Sequence, residues 1–144
     1  MNKIIESINS YGFKNCHSIL QEYKDNDWMN YVTINPNNYH RKKVYNNDDF
    51  EIFIITWNVN QGSKIHDHAE NGCYMLLLQG ELTEDIYDNN YKTQISTSTL
   101  KEGFIGYIDN KIGFHRIINN SSSDIAVSLH VYSPPNHSVK LLDV

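Results

Sequence analysis

Cysteine, proline, basic charge and long apolar runs are all scarce in this 144-residue chain, and each scarcity excludes something. Two cysteines cannot build the disulfide framework that staples small secreted domains. Cys16 falls in a helical stretch and Cys73 among strand-like segments, and the opening Met1-Asn-Lys-Ile-Ile-Glu6 has no apolar signal core. We therefore expect a cytosolic, reducing setting with no disulfide. No run approaches the roughly 18–20 apolar residues of a spanning helix, so no membrane partner is expected. Twelve Lys and Arg stand against 17 Asp and Glu, a net charge of -5. Nucleic acid is not an expected partner either, because phosphate binding needs clustered positive charge.

What the chain does contain suits a β-rich globular fold: 40% hydrophobic residues, 12% aromatic residues and ten tyrosines. The length predicts one domain over 1–144, a helical segment over 1–34 followed by a β-barrel over 35–144. In the helical stretch of residues 3–32, Ile4, Ile5 and Ile8, then Ile19, Leu20 and Tyr23, recur at helical spacing, with Gly12 as a break. Trp28, Tyr31 and Val32 are candidates to dock it on the barrel. Beyond Asn35-Pro-Asn-Asn38 the pattern changes to short strand-like runs. These lie at 40–45, 50–57, 65–68, 74–79, 82–87, 91–97, 104–108, 115–119 and 126–133. Turn residues at 46–49, 88–90 and 119–123 separate them, the signature of an antiparallel sandwich or small barrel. There is no internal repeat, and a monomer is expected.

Histidine carries the chemistry. His66 and His68, two residues apart, put both rings on one face of a strand while Asp67 points to the other. His115 arrives from a later strand and can complete one face of a metal's coordination sphere. Three neutral imidazoles and no carboxylate leave a divalent ion its full charge and open positions, which invite an anionic chelating ligand and a small molecule such as dioxygen. The donor set alone permits iron, nickel, copper or zinc. Ser128, His130 and Tyr132 alternate, so a hydroxyl, an imidazole and a phenol share one strand face. Arg41 offers a planar fork suited to a carboxylate, and Tyr39 lies on the same side of an extended segment. Lys42, Lys43, His17 and His137 read as surface residues, His40 faces away from Arg41, and Cys16 has no role.

The pattern Gly62-x3-His66-x-His68-x4-Cys73-x6-Gly80 resembles the first motif of the cupin β-barrels, with cysteine in place of the usual ligating glutamate. That cysteine, Trp57 nine residues before His66, Tyr39-His-Arg41, and Ser128-Leu-His130-Val-Tyr132-Ser-Pro-Pro135 together resemble the cysteine dioxygenases. The likeness covers residues 17–138. It implies an all-β fold, a small antiparallel cupin-type barrel (jelly roll) with short N-terminal helices.

The same resemblance implies one ferrous ion per chain on His66, His68 and His115, and oxidation of L-cysteine by O2 to cysteine sulfinic acid. Arg41 and Tyr39 would bind the substrate carboxylate, and Ser128, His130, Tyr132 and Cys73 would serve catalysis. Cys73 and Tyr132 would be joined by a thioether, facing each other across the barrel interior, and the Ser133-Pro134 bond would be cis. The chain ends at Val144, twelve residues after Tyr132, whereas mammalian-type members continue through a segment that helps to wall the pocket. That departure puts substrate affinity and pocket closure in question. Two other readings are a dioxygenase of 3-mercaptopropionate or another small thiol, and a non-catalytic metal-binding cupin. Arg41 and Cys73 weigh against the first, since mercaptopropionate-type relatives lack both.

Overall fold

The N-terminal stretch folds into short helical pieces because polar turn-formers interrupt its apolar pattern. In the computed structural model, which describes residues 1–90, 93–139 and 141–142, α1 spans Asn2–Tyr11 and α2 spans Cys16–Gln21. Single turns of tighter helix cover Phe13–Asn15 and Asp27–Tyr31. Ile4 and Ile8, one turn apart, form the buried stripe of α1, and Gly12 ends it at φ 92. Residues 22–26 are not helical, so the helix predicted over 3–32 is divided where three weak helix formers, Asp25, Asn26 and Asp27, fall together.

Ten strands follow among the described residues: β1 His40–Asn46, β2 Glu51–Trp57, β3 Ile65–His66, β4 Cys73–Gln79, β5 Leu82–Tyr87, β6 Gln94–Leu100, β7 Ile105–Ile108, β8 Phe114–Ile118, β9 Ala126–Tyr132 and β10 Leu141–Leu142. Every expected strand is present, though β6 begins at Gln94; positions 91 and 92 of the predicted 91–97 strand lie outside the described residues. The prediction missed β10, a two-residue strand paired with β3. Turns form at the predicted polar clusters. Asn47, for example, accepts the backbone N–H groups of Asp49 and Phe50 on its side-chain oxygen.

The strands make two five-stranded antiparallel sheets, ordered β1-β2-β9-β4-β7 and β10-β3-β8-β5-β6. Three layers result. Between the sheets lies an apolar cluster of Phe53, Ile55, Trp57, Met75, Leu77, Leu82 and Ile117. On the outer face of the first sheet, Ile52, Ile54, Leu76, Val127, Leu129 and Val131 pack against Ile4, Ile8, Leu20 and Trp28. Tyr31 and Val32 join that cluster, so the expected docking residues do dock. Covered on both faces, β2 is buried at all seven positions and reads as a nearly continuous apolar run. No helix among the described residues is long and apolar enough to cross a membrane.

Register divides β9 between two tasks. Val127, Leu129 and Val131 face the helices, while Ser128, His130 and Tyr132 face the space between the sheets. His130 sits directly between Phe53 of β2 and Met75 of β4, its cross-strand partners. In the second sheet, the pairing of His66 with His115 sets β3 against β8.

The turn into β8 leaves no room for a side chain. Gly113 has φ 149, and a Cβ there would lie 2.3 Å from the carbonyl oxygen of Tyr87. Gly113→Ala should therefore destabilise the fold by more than about 1 kcal/mol. A lowered denaturation midpoint at unchanged m-value would register it, and a midpoint equal to the parent's would show that the turn relaxes freely.

Candidate metal centre

The three predicted histidines meet. His66, His68 and His115 each offer a ring nitrogen within 4.8 Å of the others, and the ring centroids lie 4.5–5.4 Å apart. The route differs from the expected one at a single residue. β3 ends at His66, so His68 is not on a strand. Its backbone is held instead by Asn110: the His68 N–H donates to Oδ1 at 2.8 Å, and Nδ2 donates to the His68 carbonyl at 3.3 Å. The Asn110 side-chain amide thus does for residue 68 what a neighbouring strand would have done.

Hydrogen bonding identifies the free nitrogens. A carbonyl can only accept, so the contact of 2.8 Å between His66 Nδ1 and the Lys64 oxygen places the proton on Nδ1 and leaves Nε2 a bare lone pair. His115 Nδ1 is taken up at 2.7 Å by Glu84 Oε2. Its Nε2 faces His66 Nε2 at 3.1 Å, an arrangement that two lone pairs tolerate only with a cation or proton between them. His68 is 3% exposed, and neither of its ring nitrogens has a hydrogen-bond partner. Buried orphaned polar atoms are costly, and a metal ion satisfies this one directly. Burial first, then His115 and His66, pushes the His68 pKa down to about 2. Burial likewise lowers His66 and His115, so all three are neutral near pH 7, the state that ligates. The residues present fit a divalent metal.

The other predicted residues stand around the same pocket, which Tyr39, Arg41, His66, His115, His130 and Tyr132 line. The indole N–H of Trp57 donates to Ser128 Oγ at 2.9 Å, Ser128 Oγ lies 2.7 Å from His130 Nε2, and His130 Nδ1 lies 3.3 Å from the Tyr132 hydroxyl. The expected line therefore exists and gains Trp57 at its head, whose ring also stacks on Tyr39 at 4.7 Å. The Arg41 guanidinium lies 4.2 Å over the Phe53 ring and 5.6 Å from the Tyr132 ring. Val139 and Leu141 also line the pocket, so the short C-terminal stretch contributes wall of its own. Ser133-Pro134 is cis.

Cys73 is not across the barrel from Tyr132. The two are direct cross-strand partners on β4 and β9, side by side in one sheet. The correction follows from strand order, which places β9 between β2 and β4. Burial raises the pKa of both groups, so thiol and phenol are neutral. Cys16 is a second buried free thiol, in the helical layer.

Four residues make contacts that the sequence reading did not anticipate. Glu84 was visible in principle, because Leu82, Glu84 and Ile86 share a strand face and a lone acid in an apolar row is a signal. Asn110 carried no signal beyond an ordinary turn. Lys43, taken for a free surface charge, pairs with buried Glu51 at 3.4 Å. His137 remains exposed but lies 3.1 Å from Asp67, and so ties the segment after the two prolines to the loop between His66 and His68.

Comparisons with known proteins agree with this geometry. Solved structures share the double-stranded β-helix fold. A Klebsiella pneumoniae protein superimposes with a TM-score of 0.69 at 18% identity, covering 83% of this chain and 92% of its own. One from Thermus thermophilus gives 0.63 at 20% identity, over 78% and 97%. The fold is that of the cupin-type double-stranded β-helix, and its imidazole cluster could hold a metal ion. Residues 9–144 match the family described as Cysteine dioxygenase type I, and the chain belongs to it. Zebrafish cysteine dioxygenase type 1 is 34% identical, over 99% of this chain and 75% of its own length. The rat protein is 38% identical, over 82% of this chain and 63% of its own, so the chain spans less than two thirds of that relative.

If the three imidazoles form the metal centre, His66→Ala, His68→Ala and His115→Ala should each lose most bound divalent metal, measured by elemental analysis after reconstitution. His17→Ala and His137→Ala should retain it. Full retention in His115→Ala would show that the third ligand is wrongly assigned.

Proposed function

We propose that this protein is a thiol dioxygenase that oxidises L-cysteine with O2 to cysteine sulfinic acid, using one ferrous ion held by His66, His68 and His115. The supporting observation is convergence: His66, His115, the Arg41 guanidinium, His130 and Tyr132 border one pocket, with His68 completing the imidazole cluster and Ser128 bonded to His130 behind it. Imidazole donors also suit zinc, copper and nickel; family membership selects iron. When bound, ferrous iron lowers the pKa of a coordinated thiol and exchanges the single electrons that dioxygen chemistry requires.

The chain's own residues supply placement. Arg41 grips the substrate carboxylate with its planar fork, and Tyr39, locked by its stack on Trp57, supports that end of the substrate. The Tyr132 hydroxyl meets His130 Nδ1 at 3.3 Å, so the phenol is oriented before substrate arrives. Ser128 fixes the ring of His130 from behind. Phe53, Met75 and Leu77 keep the wall around His130 apolar, which strengthens every polar contact made in the pocket. Orienting a small thiol this way converts a bimolecular encounter into reaction within one complex.

Cys73 and Tyr132 are the proposed crosslink, a bond from the Cys73 sulfur to a ring carbon of Tyr132 that removes two hydrogen atoms, with dioxygen as the oxidant. Their pairing across adjacent strands keeps both side chains on the same face in every turnover.

The substrate orientation is tested by comparing cysteine with cysteamine, which has no carboxylate. Arg41→Ala should lower kcat/KM for cysteine by on the order of 2 kcal/mol, the low end for a charge pair because Arg41 is exposed, and should affect cysteamine little. Equal losses on both would make Arg41 structural. Absence of sulfinate from the wild-type protein, reconstituted with iron and given cysteine and oxygen, would refute the activity itself.

The crosslink is tested by mass. Protein that has turned over with iron, oxygen and cysteine should lose two hydrogen atoms and run faster on a denaturing gel, since the bond closes the loop from residue 73 to residue 132 against denaturant. Cys73→Ser and Tyr132→Phe should each abolish both signatures and lower activity without eliminating it. Complete alkylation of Cys73 after many turnovers would show that no bond forms.

A further inference from the structure

We propose that Glu84 is the positioning residue of the metal centre: its carboxylate holds the proton of His115 on Nδ1, aims Nε2 at the metal and strengthens that nitrogen as a donor. The inference rests on the reading that the three imidazoles bind a metal.

The three candidate ligands are not equivalent. His66 gives its Nδ1 proton to the neutral backbone oxygen of Lys64. His68 has no partner on its ring and is placed through its backbone by Asn110. His115 alone among the three meets a carboxylate, at 2.7 Å. A carboxylate behind an imidazole fixes which nitrogen is free and raises its basicity, so the pair acts as a stronger, better-aimed donor than imidazole alone.

The position of Glu84 argues that this contact is built rather than incidental. It lies on β5 opposite Ile117, two residues from Ile86, which stands opposite His115. Glu84 therefore reaches His115 diagonally across one ladder, on the face that looks between the sheets. Its neighbours in that row are Leu82 and Ile86, and its side chain is 15% exposed. An ionisable group in such a row is costly unless its partner compensates. The adjacent Asp85 shows the alternative: it lies on the opposite face of the strand and pairs with Arg116 at 2.8 Å and with Thr97 at 2.6 Å, an arrangement with no link to the pocket. Adjacent acids on one strand thus have opposite fates, and the inward one meets a candidate ligand. A buried Glu–His⁺ salt bridge is the competing explanation. Such an ion pair, serving stability alone, predicts that loss of Glu84 lowers the stability of the metal-free protein and leaves its metal affinity unchanged.

The test is metal affinity measured on the full chain, stripped of metal and titrated with Co2+ against a chromophoric chelator. The d–d spectrum of the bound ion serves as a second readout of coordination. Glu84→Ala should weaken Co2+ binding by about 10–100-fold and alter the spectrum. Glu84→Gln keeps an oxygen that can accept from Nδ1 but loses the charge, and should fall between Ala and wild type. Thermal unfolding of each metal-free variant separates this role from general destabilisation, since a merely structural acid would lower stability and leave affinity untouched. Co2+ binding by Glu84→Ala within threefold of wild type, or equal affinities for the Gln and Ala variants, would overturn the proposal. His115→Ala is the control on the premise. If it binds Co2+ as tightly as wild type, the metal reading itself is wrong; if it loses Co2+ while Glu84→Ala does not, only the role of Glu84 fails.

Discussion

The site depends on one cross-strand pair. His66 and His115 stand directly opposite in the ladder between β3 and β8, so both rings project from the same face and meet at their Nε2 atoms. Side chains alternate with period two, so a slip of one residue in either strand would turn one imidazole outward and abolish the cluster. β3 is only two residues long and could not hold that register by itself. It is hemmed in by β10 on its other edge, and by the backbone bonds of Ser63 to Ile117 and of Asn119 to Gln61 that continue the β8 side of the ladder. The close approach of Gly62 to Ile118 leaves no room for a Cβ and completes the clamp.

The helical layer matters to the chemistry although it touches none of it. Polar side chains on β9 can face the pocket only if the alternate residues are satisfied on the other side. Val127, Leu129 and Val131 bury that side fully against the helices. The apolar half of the strand therefore fixes the orientation of the polar half. At roughly 25 cal/mol per Å² of apolar surface, three fully buried aliphatic side chains outweigh the cost of holding one hydroxyl, one imidazole and one phenol in a mutually bonded row. Trp57 extends the same logic to β2: its ring packs in the apolar cluster, and its one polar atom ends on Ser128.

Much of this was legible because the decisive patterns are local. His66-Asp-His68 and Ser128-Leu-His-Val-Tyr132 announce a shared face within a few residues, and the helical spacing of Ile4 and Ile8 announces a docking stripe. What escaped depended on residues far apart in the chain. Nothing near His68 says that its backbone will be carried by Asn110, 42 positions later. Cys73 could not be set beside Tyr132 without knowing that β9 inserts between β2 and β4, a non-local choice that no spacing encodes. Lys43 resembled its neighbour Lys42 until the β1–β2 pairing brought it within reach of Glu51, two residues from its cross-strand partner Phe53. Glu84 is a different case: its inward face followed from alternation, and only attention to the lone acid in an apolar row was missing.

The two sheets divide the labour of the site. The candidate metal-binding imidazoles come from the β3–β8 sheet and the loop after β3, while Arg41 on β1 and the Ser128-His130-Tyr132 line on β9 belong to the opposing sheet. Facing sheets pack about 10 Å apart, a spacing set by the side chains between them. Here those are Phe53, Ile55, Met75, Leu77 and Ile117, so the apolar cluster serves as the spacer between metal centre and guanidinium. The candidate ligands stand on one wall and the guanidinium on the other, so a molecule held by both lies between the sheets. Within the proposed function, the polar groups on each wall decide which end of the substrate goes where, its thiol toward the imidazoles and its carboxylate toward Arg41.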